Sequence, residues 1–404
     1  MSVTQPVHGA SRGEGSVVTL SNWQDPPANR WSFQHVRELI PTAVIRHDPR
    51  SVWYLERRER DLNPLTFKSA DEWWTLGDFL AQSETDGFLV IHRGRIVTEQ
   101  YFNDMDEGTP HLLQSVSKSL TAAVTGCLVA RGKLDVNARV TDVVGELQGT
   151  SFENATVQQL LDMQTGTRFN ENYDDLDADV RIFEQVYLWR PRRDTQLPDD
   201  ATAYFATLKN DREHGAEFCY RSVLTDVLAW VVERASGARF NEVVSRELWA
   251  PMGAEFDAEI TVDARGNAMA DGGMCTTLRD LGRVGLTYLN GGRRNDTAVI
   301  PESWVRDTIE STPQSRAAFE RGADSRVLPR GAHYRNFWWV YDPSAPLLYA
   351  AGIYGQNIFV HGPTHTVVVK FSSWPTPLDE HKLAATRELT VAIGRHLESL
   401  EESA

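Results

Sequence analysis

The chain has 404 residues, of which 41 % are hydrophobic and 24 % charged, a composition typical of a globular protein with one large or two moderate domains. Its formal net charge of −15 argues against nucleic acid or an anionic membrane surface as the main ligand. The N-terminal segment has no basic stretch followed by an apolar run, and the three cysteines lie far apart. We therefore expect a cytoplasmic protein with reduced thiols and no membrane segment.

In chain order, the first regular element is a β-hairpin, with strands at 87–92 and 96–102 around Arg93-Gly94-Arg95. A helix with an apolar stripe follows Ser115-Val116-Ser117-Lys118 and ends at Arg131-Gly132. The acid-rich, aromatic-bearing segment 170–200 is expected to be an insertion over a site. Apolar periodicity further predicts helices near 156–163, 222–235, 240–248, 277–289 and 380–400, and strands at 338–341, 356–360 and 366–371.

The order of these elements is strands, then a helical middle, then strands and a terminal helix. This order predicts an α+β fold, with one antiparallel sheet built from the N- and C-terminal parts, flanked by helices, and an inserted all-helical domain. We expect residues 1–155 and 269–404 to form the sheet domain that carries the helix after Ser115. Residues 156–268 would form the mainly helical domain.

Ser115 and Lys118 form the single Ser-x-x-Lys motif of the chain. Three residues apart on a first helical turn, both side chains lie on one face, and the helix N-terminus faces an anion that forms at the serine. This arrangement suits a serine nucleophile with an amine base, and its alternative is a capping serine beside a solvated lysine. No His, Cys or carboxylate pattern indicates a metal site, and we expect no cofactor.

Two later segments also offer groups for acyl transfer. Tyr220 precedes the predicted 222–235 helix, where it can carry the serine proton or simply anchor the helix. Ser222 is a candidate donor in the site, although helix capping is the favoured interpretation. The small residues of 351–357 can bring a backbone N–H close to an oxyanion, or form an ordinary turn.

Two other motifs are rejected from their context. Gly9-Ala10-Ser11-Arg12-Gly13 matches a nucleophile elbow, but no apolar strand precedes it and no helix follows. The spacing of Asp175, Asp177 and Asp179 resembles the start of a calcium loop, but glycine and glutamate are missing at the positions such a loop requires.

With Ser115-x-x-Lys118, Tyr220-x-Ser222 and the Gly-rich 352–356 segment in this order, the chain resembles the penicillin-recognising serine hydrolases. This superfamily includes class C β-lactamases, D-Ala-D-Ala carboxypeptidases and related esterases. The segments 23–31, 112–120, 355–357 and 371–375 look like those of the 6-aminohexanoate-dimer hydrolases, the nylon-oligomer hydrolases, over nearly the whole length.

The resemblance implies that Ser115 is the nucleophile, Lys118 its activator and Tyr220 the proton carrier. The oxyanion hole would be formed by the backbone N–H groups of Ser115 and Ile353. The residues implied to bind or tune the substrate are Tyr173 as a mobile loop residue, Glu184 as the partner of a substrate ammonium, Trp189 and Trp339 as pocket walls, and Ser222, Asp271 and Tyr354.

The chain departs from the family pattern at several of these positions. Ser222 stands where β-lactamases have asparagine, and no Lys-Thr-Gly precedes the late strand, so we do not expect efficient β-lactam turnover. Glu184 is one methylene longer than an aspartate, and Asp271 carries a charge where an amide is expected to serve dimer hydrolysis better. Glu184 can alternatively be one more solvated acid in an acidic loop.

These observations lead us to expect a serine hydrolase that cleaves linear amides, of the 6-aminohexanoate-dimer kind, and short-chain esters through an acyl-enzyme. The alternatives are a general carboxylesterase with little amidase activity and a catalytically silent binding protein on the same scaffold. The expected partner is a small amide or ester, without nucleic acid or membrane, and a homodimer is left open.

Overall fold

A computed structural model gives the structure of the protein and describes residues 17–402, so the rejected Gly9–Gly13 motif lies outside the described residues. The helices are α1 (Asn29–Ser32), α2 (Leu76–Gln82), α3 (Ser117–Ala130), α4 (Val140–Val143), α5 (Val157–Leu161), α6 (Asp179–Val186), α7 (Ala201–Phe205), α8 (Val223–Ser236), α9 (Phe240–Val244), α10 (Ala250–Met252), α11 (Leu278–Leu289), α12 (Glu302–Glu310), α13 (Pro313–Arg321) and α14 (Glu380–Glu402).

The strands are β1 (Thr42–Ile45), β2 (Glu56–Arg57), β3 (Thr66–Ser69), β4 (Glu72–Thr75), β5 (Thr85–His92), β6 (Arg95–Tyr101), β7 (His111–Leu112), β8 (Ala258–Thr261), β9 (Met274–Thr276), β10 (Arg293–Arg294), β11 (Thr297–Ala298), β12 (His333–Arg335), β13 (Trp338–Asp342), β14 (Leu347–Gly352), β15 (Gln356–His361) and β16 (Thr366–Ser372). In residues 17–402, no helix is both long enough and apolar enough to cross a membrane.

The main sheet joins strands from both ends of the chain, in the order β12-β13-β14-β15-β16-β5-β6-β2. Neighbouring strands in this sheet are antiparallel, except that β2 and β6 are parallel. Strand β16, from the C-terminal part, pairs with β5, from the N-terminal part, and places Val368 opposite Val90. The expected α+β fold, with an antiparallel sheet built from the N- and C-terminal parts, is confirmed.

The central strands of this sheet, β5, β15 and β16, are buried on both faces. Along β5, Leu89 and Ile91 enter the larger hydrophobic core, whereas Phe88 and Val90 enter a second core. Successive side chains of a strand point to opposite faces, so each face needs its own cover. Helix α11 covers the first face, and α14 packs on β15 and β16 at the second, where it also contacts β3.

A small second sheet, in the order β1-β8-β9-β7, supports the segment that leads to Ser115. Strand β7 pairs with β9, and α3 then packs against α8, which also contacts α5. The division into 1–155 with 269–404 and 156–268 stays a prediction. Strand β8, which lies within the second range, pairs with β1 and β9 of the first.

The predicted hairpin and helices are found close to their expected bounds. The hairpin is β5 and β6, and the helices near 156–163, 222–235, 277–289 and 380–400 are α5, α8, α11 and α14. The helix predicted at 240–248 begins as α9 and continues as a π-helical turn, Ser245–Trp249. The 170–200 segment contains α6, which the sequence analysis did not identify as a helix.

Candidate active site

Ser115 lies in a single 3-10 turn, Gln114–Val116, that runs directly into α3. One turn later the buried Lys118, 1 % exposed, donates from Nζ to Ser115 Oγ at 2.8 Å and to the Asp271 carbonyl at 2.8 Å. The two bonds fix the ammonium between the serine and the segment that precedes β9. The three-residue spacing therefore places a cationic donor on the serine oxygen.

Tyr220 completes a three-residue cluster with Ser115 and Lys118. The Lys118 Nζ lies 5.2 Å from the centre of the Tyr220 ring, and the Tyr220 hydroxyl makes polar contacts with both Ser115 and Lys118. On its other side the ring stacks on Trp339, with centroids 6.1 Å apart and planes 11° from parallel. Trp339 therefore lies beside Tyr220, and its role as a pocket wall stays a prediction.

The charges of Lys118 and Tyr220 depend on each other. Burial disfavours the ammonium, but the acidic groups of Tyr220, Asp271 and Glu171 outweigh it and raise the pKa of Lys118 above its usual value. Burial also raises the pKa of Tyr220, and the positive charge of Lys118 offsets this only in part. At neutral pH the resting pair is therefore an ammonium beside a phenol.

Strand β14 passes directly against the backbone of Ser115. A Cβ placed on Gly352 would lie 2.6 Å from the Leu113 carbonyl oxygen, closer than real Cβ atoms approach, and 3.0 Å from Ser115 N, which is unusually tight. The strand can come this near because Gly352 has no side chain. Ile353, the next residue, is 8 % exposed. That the N–H groups of Ile353 and Ser115 together serve one oxyanion stays a prediction.

Glu171 is a carboxylate that the sequence analysis missed. It accepts hydrogen bonds from the Tyr173 hydroxyl at 2.8 Å, from Ser222 N at 2.7 Å and from Ser222 Oγ. These bonds tie the loop that carries Tyr173 to the first residues of α8, next to Tyr220. Ser222 occupies the N-cap position, but its side chain makes no capping bond, which corrects the favoured capping role. Nothing in the sequence distinguishes Glu171 from the other acids of its loop.

Asp271 and Asp226 form a buried carboxylate pair behind Lys118. Asp226 Oδ1 accepts from the Ala270 and Asp271 N–H groups at 2.7 and 3.3 Å. Burial raises the pKa of Asp271 to about 6, while Lys118 acts in the opposite direction, and burial together with Asp271 raises the pKa of Asp226. Asp271 was expected at the site, but Asp226, inside α8, was not.

Trp189 and Tyr354 are two further residues predicted to bind the substrate. Trp189 is 1 % exposed, donates from Nε1 to Thr261 Oγ1 at 3.0 Å, and packs edge-on against Trp23 at 5.0 Å. Its ring also lies against Gly272, the neighbour of Asp271. Burial raises the pKa of Tyr354, against the positive charge of Arg181.

Glu184 is 2 % exposed and is held by two arginines. Arg181 NH1 donates to its Oε1 and Oε2 at 2.8 and 3.0 Å, and Arg190 Nε donates to Oε2. Glu184 is therefore not a solvated loop acid, which corrects that alternative. Its role as the partner of a substrate ammonium stays a prediction, and the two guanidinium groups compete for it.

The predicted residues are thus linked by a few direct contacts. The Lys118 ammonium contacts Ser115, Tyr220 and the Asp271 carbonyl. Ser222 contacts the Asp271 side chain, and Glu171 links Ser222 to Tyr173. Within residues 17–402, no group of three or more His, Cys, Asp or Glu side chains is placed to hold a metal ion.

Comparison with known proteins places the chain in a family. A family model described as Beta-lactamase matches residues 77–393. The 6-aminohexanoate-dimer hydrolase of Paenarthrobacter ureafaciens is 37 % identical over 393 residues, which cover 97 % of this chain and 96 % of the relative.

Solved structures extend the likeness to three dimensions. One from Bacillus anthracis, named after the same enzyme, matches with a TM-score of 0.86 at 26 % identity, covering 95 % of this chain and 97 % of that one. A family VIII carboxylesterase shares the fold, with a TM-score of 0.59 at 16 % identity over 78 % of this chain and 95 % of that chain. The chain belongs to the beta-lactamase family, as a hydrolase of the beta-lactamase fold related over its whole length to 6-aminohexanoate-dimer hydrolase.

Proposed function

We propose that this protein is a serine hydrolase that cleaves linear amides and short-chain esters through an acyl-enzyme on Ser115. The observation that carries the proposal is the 2.8 Å contact between the buried Lys118 Nζ and the partly buried Ser115 Oγ, in a site that also contains the Tyr220 hydroxyl. A nucleophile, a proton carrier and a fixed positive charge are the groups that acyl transfer requires.

The resting ammonium and phenol must lose one proton before Ser115 can attack. The deprotonated pair is best described as a Tyr220 phenolate beside the Lys118 ammonium, because opposite charges at this distance stabilise each other. The phenolate accepts the Ser115 proton as Oγ bonds to the substrate carbonyl carbon. The resulting phenol then donates that proton to the leaving nitrogen or oxygen.

Deacylation repeats these steps with water as the nucleophile. Tyr220 accepts a proton from water, and the hydroxide oxygen bonds to the acyl carbon of the ester on Ser115. The proton returns to Ser115 Oγ as the acid product leaves. In both halves the backbone N–H groups of Ser115 and Ile353 would stabilise the oxyanion.

The substrate class follows from the relatives. The Paenarthrobacter ureafaciens protein is named for the hydrolysis of the 6-aminohexanoate dimer, a linear amide. A general carboxylesterase with little amidase activity is the second candidate. The ion pairs of Glu184 favour it, because a carboxylate already bonded to two arginines attracts an amine-terminated amide less.

A fluorophosphonate probe together with the Ser115→Ala variant tests the proposal. We expect the probe to label wild-type Ser115, and the variant to lose amidase and esterase activity by more than about a hundredfold with an unchanged circular dichroism spectrum. Ser21→Ala, at an exposed position, is the matched control and should behave as wild type. Labelling of another serine, or activity retained in Ser115→Ala, would reject the assignment, and absence of labelling would favour a silent binding protein.

A further inference from the structure

Glu184, Arg181, Arg190 and Gln24 form a cluster in which both carboxylate oxygens are already bonded. The acceptor left without a hydrogen bond there is the neutral amide oxygen of Gln24, Oε1. Arg181 bonds to both carboxylate oxygens, Arg190 adds a bond to Oε2, and Gln24 Nε2 donates to Oε1 at 3.3 Å. The Glu184 side chain is 3 % exposed, that of Arg181 5 % and that of Arg190 16 %. A substrate ammonium would therefore have to compete with two guanidinium groups for the Glu184 oxygens.

The cluster also carries an excess of positive charge. Two arginines share one carboxylate, whereas the buried Arg335 bonds to two carboxylates, Asp162 and Asp307. Arg131 and Arg246 also share one carboxylate, that of Glu247. Their side chains are 52 % and 48 % exposed, however, so water solvates them. An unbalanced charge in a desolvated place is costly unless an anion joins it.

This excess charge lies at the site rather than behind it. Arg181 donates from Nε and NH2 to the Tyr173 carbonyl at 3.0 and 2.7 Å, and its guanidinium lies 5.3 Å from the centre of the Tyr173 ring. The charges of Arg181 and Arg190 both act on the hydroxyl of Tyr354, which follows Ile353. The other carboxylates of the site, Glu171 and Asp271, act on Lys118 instead.

Arg190 has donors left for a ligand. Among the contacts within residues 17–402, only its Nε is bonded, to Glu184, and the two terminal NH2 groups of the guanidinium make no further hydrogen bond. A guanidinium presents paired N–H groups that match the two oxygens of a carboxylate. The partner that this geometry fits is therefore a substrate carboxylate.

We propose that the site selects substrates whose acyl part ends in a carboxylate, bound by Arg190 with Arg181 adjacent, over substrates that end in an ammonium. The preferred class is monoamides and monoesters of aliphatic dicarboxylic acids. This inference rests on the proposed function, because it concerns the acyl group that Ser115 would receive.

Three p-nitrophenyl esters with acyl chains of equal length test which terminal charge the site prefers. Their acyl groups are adipoyl, hexanoyl and 6-aminohexanoyl, which end in a carboxylate, a methyl group and an ammonium. We expect kcat/KM, corrected for uncatalysed hydrolysis, to be highest for the adipate ester and about tenfold lower or more for the 6-aminohexanoate ester.

The Arg190→Gln variant should lower kcat/KM for the adipate ester by about ten- to a hundredfold, and change the hexanoate value by no more than about twofold. Arg190→Lys keeps the charge and should retain part of the preference. Arg192→Gln is the control, because its guanidinium bonds to the Leu197 and Pro198 carbonyls on the exposed side. Thermal melting of each variant checks that it folds.

The outcomes separate this inference from the function beneath it. If hydrolysis depends on Ser115 but the adipate ester is not preferred over the other two, only the inference is overturned. The same holds if a folded Arg190→Gln variant loses activity equally on all three esters. Ester hydrolysis that survives in Ser115→Ala would overturn the proposed function itself.

Discussion

Lys118 keeps a positive charge in a place that water hardly reaches. Its two hydrogen bonds, to Ser115 Oγ and the Asp271 carbonyl, are both 2.8 Å long, and Tyr220 lies over it. The lysine is therefore better suited to stabilise a phenolate than to act as a neutral amine base. Lys118 and Tyr220 should work as one unit on a single proton path.

This coupling predicts strongly non-additive variants. Lys118→Ala and Tyr220→Phe should each lower kcat by about a thousandfold or more, and the double variant should be little worse than either. Wild-type kcat/KM should rise with pH, because the pKa of both groups is raised and the pair must lose one proton. Lys133→Ala and Tyr54→Phe, both at exposed positions, are the controls. Losses that multiply in the double variant would assign one residue a purely structural role.

The raised pKa of Asp271 predicts how the free energy of unfolding changes with pH. A carboxyl group with a pKa of about 6 when folded, against its ordinary value of 3.8, binds its proton more tightly in the folded state. Its stabilisation is complete below about pH 4 and is lost as the pH rises through about 6. Asp271→Asn should therefore gain on the order of 2 kcal/mol over wild type between pH 4 and pH 7.

Urea unfolding at several pH values measures this difference. Asp296→Asn, in the exposed turn between β10 and β11, is the control and should follow the wild-type curve. If Asp271→Asn and wild type lose stability in parallel as the pH rises, Asp271 is not the group that holds the proton.

At the level of residues, the sequence was sufficient where local geometry decides. Ser115 and Lys118 are one helical turn apart, so their spacing alone brings them together. Glu171 and Asp226 could not be identified, because each reaches the site through the folding of distant segments. Arg181 and Arg190 are only three and six residues from Glu184, but α6 was not identified as a helix, so these ion pairs were missed. They change what Glu184 can bind.

Among the elements, we expect the end of β14 to shape the proposed oxyanion site. Gly352→Ala would place a methyl group 2.6 Å from the Leu113 carbonyl oxygen and 2.8 Å from Gln114 Cβ, which forces the strand away from Ser115. We expect kcat to fall by about a hundredfold, as for loss of an oxyanion donor. Gly145→Ala, with nothing within 4 Å of the added Cβ, is the matched control. Unchanged kcat in Gly352→Ala would mean that this approach of β14 does not matter for catalysis.

Elements with a strong local pattern were predictable, and short ones were not. Helices α8, α11 and α14 follow from apolar periodicity, and the β5–β6 hairpin from two apolar runs around a turn. The strands of the small sheet, such as β7 and β9, span two or three residues and exist because partners far along the chain pair with them. Strand β14 was missed, although it forms part of the site.

Across the whole molecule, α14 covers the second face of the main sheet. Leu389 is completely buried there, in the core that also contains Phe88 and Val368. Leu389→Ala should lower the free energy of unfolding by about 2–5 kcal/mol, since it removes buried methyl groups and leaves a cavity. Leu378→Ala, at a site that is 67 % exposed, should change it little. Equal effects of the two variants in chemical denaturation would mean that α14 contributes little to the core.

The place of β16 between β15 and β5 has a consequence for synthesis on the ribosome. The hairpin of β5 and β6 and the Ser115–Lys118 pair emerge early. Strand β5 lacks its second neighbour, β16, until residues 366–372 have been translated. The peptide of Ile353 also arrives late, so a prematurely terminated chain would carry Ser115, the proposed nucleophile, without the second proposed oxyanion donor. On the proposed mechanism such a product would not cleave a substrate, and its unpaired strand edge would expose it to chaperones, proteases and aggregation.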